Sequence, residues 1–185
     1  MIVVAVVGTK KSGKTTTVEY LISGLSKEGY RIGSVKHIHH SDFSMDTEGT
    51  DTWRHMHAGA SVTVALSPNQ TVIIKKANMP DNIDQVIKIF SDEDLDFIFI
   101  EGLHSLCSRR TDIIKIIAAK DLEDLKRTLE GTSHPILAIT GPVAKEKERE
   151  KISKEINIPV IDLNLEGHLL LERLKNLMRE PPRER

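Results

Sequence analysis

Apolar positions along this chain follow two alternating patterns. Ile2–Val7 is an unbroken, largely β-branched run, the pattern of a strand covered on both faces. After a glycine-bearing turn, Val18, Leu21, Ile22 and Leu25 recur at helical spacing until Gly29, which predicts an amphipathic helix with a glycine stop. A second strand is expected over residues 31–36, then a polar, histidine-rich stretch over residues 37–50. Residues 51–58 read as a short helix ended by Gly59. Residues 61–66 and 71–75 flank Pro68-Asn69-Gln70 and read as a hairpin. Ile83, Val86, Ile87 and Phe90 mark a helix capped by Asp81 or Asn82. Residues 97–100 and 113–118 are further buried-strand candidates. Leu122, Leu125 and Leu129 mark a helix stopped by Gly131, and residues 135–140 another strand. Residues 143–156 predict a charged surface helix and residues 160–163 a last short strand. Leu169, Leu170, Leu174 and Leu177 are expected to face inward from a terminal helix.

Strands alternating with helices at this spacing give an α/β fold: a mostly parallel sheet with helices on both faces. The hairpin is expected to add antiparallel strands at one edge. The length, 185 residues, fits one domain over residues 1–178. Residues 179–185, with two prolines and alternating charges, read as a frayed charged tail.

Charge narrows the function classes. The chain carries 26 Lys plus Arg against 27 Asp plus Glu, a formal charge of −1. Proteins that live on nucleic acid need a cationic surplus, so no nucleic-acid partner is expected. The longest apolar runs fall far short of the roughly 18 residues of a membrane span, and Ile2–Val7 has neither the basic leader nor the length of a signal peptide. A single cysteine excludes an intramolecular disulfide framework. The expectation is a soluble, cytoplasmic protein with no membrane contact.

The most specific motif is Gly8-Thr9-Lys10-Lys11-Ser12-Gly13-Lys14-Thr15, which fits G-x-x-x-x-G-K-[ST] without adjustment. It stands between a buried strand and an amphipathic helix, the context its mechanism requires. Its glycines let the backbone wrap around phosphate oxygens, and the helix that follows adds the positive end of its dipole. Lys14 is expected to reach the β- and γ-phosphates and Thr15 to offer its hydroxyl to Mg²⁺. The candidate nucleotide-binding residues are this octet and Thr16, and the fold class becomes a P-loop NTPase. Lys10 and Lys11 are extra cations at the rim, read first as solvated surface lysines.

A nucleotide site also needs a metal-side acid. The strand at residues 97–100 ends in Glu101-Gly102, and strand ends on the carboxyl side carry ligands in open parallel sheets. Glu101 is therefore placed at the site and Asp96 at the far end of the strand. The segment from Lys36 to Ala60 holds five of the eight histidines, His37, His39, His40, His55 and His57, with Asp42, Asp46, Glu48 and Asp51. It reads as a switch segment that contacts phosphate or Mg²⁺, with Asp46 as a second, switch-dependent metal contact. Transition-metal binding by the histidines is the competing reading. Lys14, Glu101 and Asp46 are thus the candidates for catalytic work. Arg54 is a candidate charge-stabilising arginine or a surface residue. Trp53 and Phe43 read as packing residues or partner anchors. Cys107, near His104, has no evident base and reads as inert. Base specificity is silent, because Thr140-Gly141-Pro142 stands where an N-K-x-D sequence would identify guanine.

Lys36-His37-x-His39-His40-x-x-Phe43-x-x-Asp46-x-x-Gly49-x-Asp51-Thr52-x-Arg54, followed by Ala58-Gly59-Ala60, resembles the signature of the molybdopterin-guanine dinucleotide biosynthesis protein B family. The loop from Gly8 to Thr15 and the Glu101-Gly102 strand end match that family too, and the resemblance runs from residue 1 to about residue 120. It implies a GTP-binding accessory protein with weak Mg²⁺-dependent GTPase activity, in the form of a homodimer. It further implies that this protein assists a molybdopterin guanylyltransferase, and with it molybdopterin enzymes. Thr9 follows the first glycine where partitioning ATPases carry a lysine, which sets the chain apart from that branch. A small-molecule kinase, with Arg109 and Arg110 on a lid, and a metallochaperone using the histidines are the alternatives.

Overall fold

The computed structural model describes residues 1–40 and 42–178. In chain order the elements are β1 (Ile2–Val7), α1 (Lys14–Lys27), β2 (Ile32–Lys36), α2 (Asp51–His57), β3 (Val62–Ser67), β4 (Gln70–Lys75), α3 (Ile83–Lys88) and β5 (Phe97–Glu101). They continue with α4 (His104–Cys107), β6 (Ile114–Ala118), α5 (Leu122–Glu130), β7 (Ile136–Thr140), α6 (Arg149–Ile156) and α7 (Leu163–Lys175). They form two compact units: Ile38–Asp81, and the chain on either side of it.

The larger unit is built on a five-stranded, all-parallel sheet of order β2-β5-β1-β6-β7. Alternation along each strand sorts side chains onto its two faces. Val4, Val6, Phe97, Phe99, Ile116 and Ala118 pack with Val18, Leu21 and Leu25 of α1 and Leu170 and Leu174 of α7. Ala5, Val7, Ile98, Ile100 and Ile117 pack on the opposite face with Ile83 and Val86 of α3, Leu125 of α5 and Ile152 of α6. The expected fold class holds: a mostly parallel sheet with helices on both faces and a small antiparallel pair. All five strands point their carboxyl ends the same way, and the β1–α1 connection lies at that edge.

Several elements differ from expectation in extent. The strand foreseen at residues 160–163 is a single parallel bridge from Ile139 to Val160, because Asp162 starts α7 by accepting a hydrogen bond from the Asn164 N–H at 2.9 Å. The long charged helix divides into a 3₁₀ turn, Pro142–Lys145, and α6. On α7, Leu170 and Leu174 make the buried stripe and Leu169 lies off it, exposed; Leu177 lies past the helix end and is exposed too. The tail at 179–185 lies outside the described residues.

In the smaller unit β3 and β4 form the expected hairpin, with Val62 opposite Lys75 and Ser67 opposite Gln70. It is a two-stranded sheet of its own and not an edge of the five-stranded one. Its alternating Val62, Val64 and Leu66 suit a two-sided ribbon, unlike the continuous apolar runs of the parallel strands. Thr50 caps α2 by accepting a hydrogen bond from the Trp53 N–H, and Lys76 donates to the Met56 carbonyl at 2.8 Å, tying α2 to the hairpin's exit.

Candidate phosphate-binding site

The loop between β1 and α1 is held in shape by close approaches that only glycine permits. A Cβ on Gly8 would lie 2.0 Å from the Ala118 carbonyl oxygen, and Gly8 has φ +152°. Gly13 has φ +95° and sits against Gly141, which itself has φ +93°. A Cβ on Gly141 would lie 2.3 Å from the Ser12 carbonyl oxygen. The loop is therefore wedged between the carboxyl ends of β6 and β7. Positive φ at Lys11 (63°) and Gly13 gives the backbone the concave form in which N–H groups bind anions.

Polar contacts fix the loop further. Thr17 on α1 donates to the Gly13 carbonyl at 3.0 Å and shares a buried 2.9 Å hydrogen bond with the Thr140 hydroxyl on β7. Thr9 donates to Asp124 Oδ2 at 2.9 Å, and the Lys120 N–H reaches the same oxygen at 3.0 Å. Asp124, on α5, is 1 % exposed. Lys14 Nζ donates to the Thr9 carbonyl. Burial, the largest influence, pulls Lys14 below the ordinary lysine range, and Glu101 opposes it. Lys10, Lys11 and Thr16 are exposed. Ser12 is fully buried, and its hydroxyl has no hydrogen-bond partner. A buried hydroxyl left without a partner costs about 1–3 kcal/mol.

Glu101 stands at the carboxyl end of β5, 5 % exposed. Its place on the α1 face follows from alternation with Phe97 and Phe99. Its Oε1 accepts from the Thr15 hydroxyl at 2.7 Å and also from Lys36 Nζ. A glycine must follow it, because Gly102 has φ +93° and a Cβ there would meet His37 Cβ at 3.0 Å. Asp96 lies at the opposite end of the strand, where its carboxylate accepts from the Arg31 N–H at 2.8 Å.

The structure thus gathers Gly8, Thr9, Ser12, Gly13, Lys14, Thr15 and Glu101 on one edge of the sheet. Asp46 belongs to the smaller unit. Its Oδ1 accepts from the Thr47 N–H at 3.0 Å and from the hydroxyls of Thr50 (2.9 Å) and Thr52 (3.0 Å), so it staples its own loop. Sequence reasoning gave Asp124, Thr17 and Thr140 no role at the site, and it met Lys36 only as a strand end and as part of a family signature. A lysine ending one strand and a glutamate ending another is the signal that would have pointed to Lys36.

No cluster of three or more His, Cys, Asp or Glu that could hold a metal ion occurs among the described residues. His57 stacks on Trp53 with ring centroids 3.6 Å apart, and Arg54 is exposed, 3.5 Å from Asp51. Arg109 and Arg110 precede β6, at the sheet edge opposite the loop. Arg110 is held there by Asp84 and Asp112. Cys107 is buried, which pushes its thiol up to about 11, so it is a poor nucleophile. His104 donates to or accepts from Thr132 at 3.1 Å. No helix among the described residues is long and apolar enough to cross a membrane.

A family model described as molybdopterin guanine dinucleotide synthesis protein B (MobB) matches residues 3–138. A Methanocaldococcus jannaschii protein is 35 % identical over 121 residues, which is 65 % of this chain and 48 % of that one. The chain therefore spans about half the length of that relative. The Haemophilus influenzae molybdopterin-guanine dinucleotide biosynthesis adapter protein is 27 % identical over 144 residues, covering 78 % of this chain and 76 % of that protein. The crystal structure of Bacillus subtilis MobB matches with a TM-score of 0.75 at 24 % identity, over 97 % of this chain and all of that one, a likeness of fold.

Proposed function

The chain belongs to the MobB family, that of molybdopterin guanine dinucleotide synthesis protein B, and from that premise we propose that it is a GTP-binding adapter in molybdopterin guanine dinucleotide synthesis, with weak Mg²⁺-dependent GTPase activity. The observation that carries the nucleotide site is the glycine-walled loop with an unpaired, buried Ser12 hydroxyl and Lys14 at its mouth. These residues fit a triphosphate: a concave backbone, one buried free hydroxyl and a cation at a helix N-terminus.

Thr15 and Glu101 are the residues that would hold Mg²⁺, one hydroxyl and one carboxylate being what this ion takes from protein in such sites. Bound there, the ion would neutralise charge developing on the phosphate oxygens. Lys14 would leave the Thr9 carbonyl for the phosphates. The α1 backbone would hold the nucleotide's charge in place, and Glu101, fixed by its buried strand, would orient a water near the terminal phosphate. The adapter role makes a guanylyltransferase of molybdopterin the partner. The assembly proposed is a homodimer, with the hairpin as its surface: Val62, Val64, Leu66 and Ile73 share one exposed face. Light scattering that finds a monomer with and without nucleotide would remove the dimer.

Equilibrium binding of GTP and ATP to the wild type and Lys14→Ala tests the site. GTP is expected to bind in preference to ATP, and Lys14→Ala to lose triphosphate binding with its fold intact. Unchanged affinity in Lys14→Ala refutes the site, and a preference for ATP refutes the base.

A further inference from the structure

In the parallel register of β2 on β5, Lys36 lies directly beside Glu101, and residues paired in this way project to the same face. Glu101 Oε1 therefore holds two donors at once: the Thr15 hydroxyl and the Lys36 ammonium. Thr15 and Glu101 are the pair to which Mg²⁺ was given above, so the inference rests on that reading. The carboxylate meant for the ion already has a cation on it. We propose that Lys36 is the resident counter-ion of Glu101 in the nucleotide-free protein and that Lys36 and nucleotide-bound Mg²⁺ compete for this carboxylate.

The two partners differ in their freedom to leave. The Glu101 side chain is 6 % exposed and anchored at the end of a wholly buried strand, whereas the Lys36 side chain is 53 % exposed. A buried carboxylate stripped of its cation is costly. A lysine head with water beside it gives up a partner at small cost. Exchange therefore moves the lysine and leaves the glutamate in place. In the absence of nucleotide the ammonium keeps Glu101 aimed at Thr15 and satisfies its charge. When the ion arrives with its phosphates, Lys36 yields the oxygen, and the strength of the ion pair sets the Mg²⁺ concentration at which the site is completed. Lys36 is on this account a positioning residue and a threshold for the metal.

The test is calorimetric binding of a non-hydrolysable GTP analogue with a β,γ-imido bridge, repeated over a Mg²⁺ series. In Lys36→Met the half-saturating Mg²⁺ concentration is expected to fall about 2- to 5-fold, the span for a half-exposed ion pair. Lys36→Arg, which keeps the charge, stays near the wild type. In the Glu101→Gln background, Lys36→Met is expected to leave the Mg²⁺ requirement unmoved, since the shared partner is gone. Lys36→Gln takes the place of Lys36→Met if circular dichroism shows that the latter fails to fold. An unchanged or higher Mg²⁺ requirement in Lys36→Met, or an equal shift in the Glu101→Gln background, overturns the competition while leaving the nucleotide site standing. Wild-type protein that binds no nucleotide at any Mg²⁺ concentration overturns both.

Discussion

Replacing Thr9 by Val removes one hydroxyl and keeps the shape of the side chain, so the change isolates a single hydrogen bond. That bond runs from Thr9 Oγ1 to Asp124 Oδ2 at 2.9 Å. Asp124 is 1 % exposed, so the vacated acceptor is poorly placed to recover a partner from water. Its Oδ2 would keep only the Lys120 N–H. Its Oδ1 has no hydrogen bond, and the Arg127 guanidinium stands 3.6 Å away. Hydrogen bonds to a carboxylate contribute about 1.5–3 kcal/mol, and the poor access of replacement water puts this one at about 2 kcal/mol. For a chain of this size that is a fall in Tm of about 4–8 °C. Thermal unfolding followed by circular dichroism measures it, with Thr9→Ser, which keeps the hydroxyl, expected within about 0.5 kcal/mol of the wild type. A Thr9→Val variant that unfolds within about 1 °C of the wild type refutes the buried tether, because no other effect of this isosteric change offsets a loss of that size.

Gly141→Ala places a methyl 2.3 Å from the Ser12 carbonyl at a positive φ. It is expected to cost more than about 2 kcal/mol in denaturant unfolding and to abolish triphosphate binding; a variant of wild-type stability and affinity contradicts the wedge. Cys107, raised by burial to about 11, holds its proton more tightly when folded than when unfolded. Its contribution to stability is then whole below about pH 9 and lost as pH rises toward about 11. Cys107→Ala should flatten that part of the pH–stability curve, and native protein at pH 8 should react with a thiol reagent only at its opening rate. Rapid labelling of folded protein would count against the burial.

What could be read from the chain beforehand depended on how local the cause was. The strand Ile2–Val7 and the turn to α1 announce themselves, because β-branched continuity and the glycine-lysine spacing are both consecutive features. Glu101 was legible as well, since an acid ending a buried run needs only strand direction to be placed. Strand order was not legible. The insertion of β5 between β2 and β1 is decided by packing among residues 65 positions apart on the β2 side, the Lys36–Glu101 pairing among them, and 95 apart on the β1 side. The separate hairpin escaped for a related reason: its sequence specifies a ribbon but not what the ribbon joins. Asp46, expected at the metal, makes hydrogen bonds to Thr47, Thr50 and Thr52. Such local side-chain bonding is available to any aspartate that precedes threonines in a turn. Asp124 was hidden because a helix-start acid looks like a capping residue, and only the fold brings Thr9 to it.

The wedge of Gly141 against the phosphate loop also bears on the order in which a newly made chain becomes competent. The loop leaves the ribosome with the first fifteen residues, yet the backbone against which Gly8 and Gly13 rest, Ala118 and Gly141, is made more than a hundred residues later. Synthesis delivers roughly 5–20 residues per second, so for several seconds the signature sequence exists without the walls that give it its shape. If the loop binds nucleotide as proposed, capture is a late event in the life of the nascent chain. A truncated product that ends before β7 would carry the whole motif and hold no triphosphate.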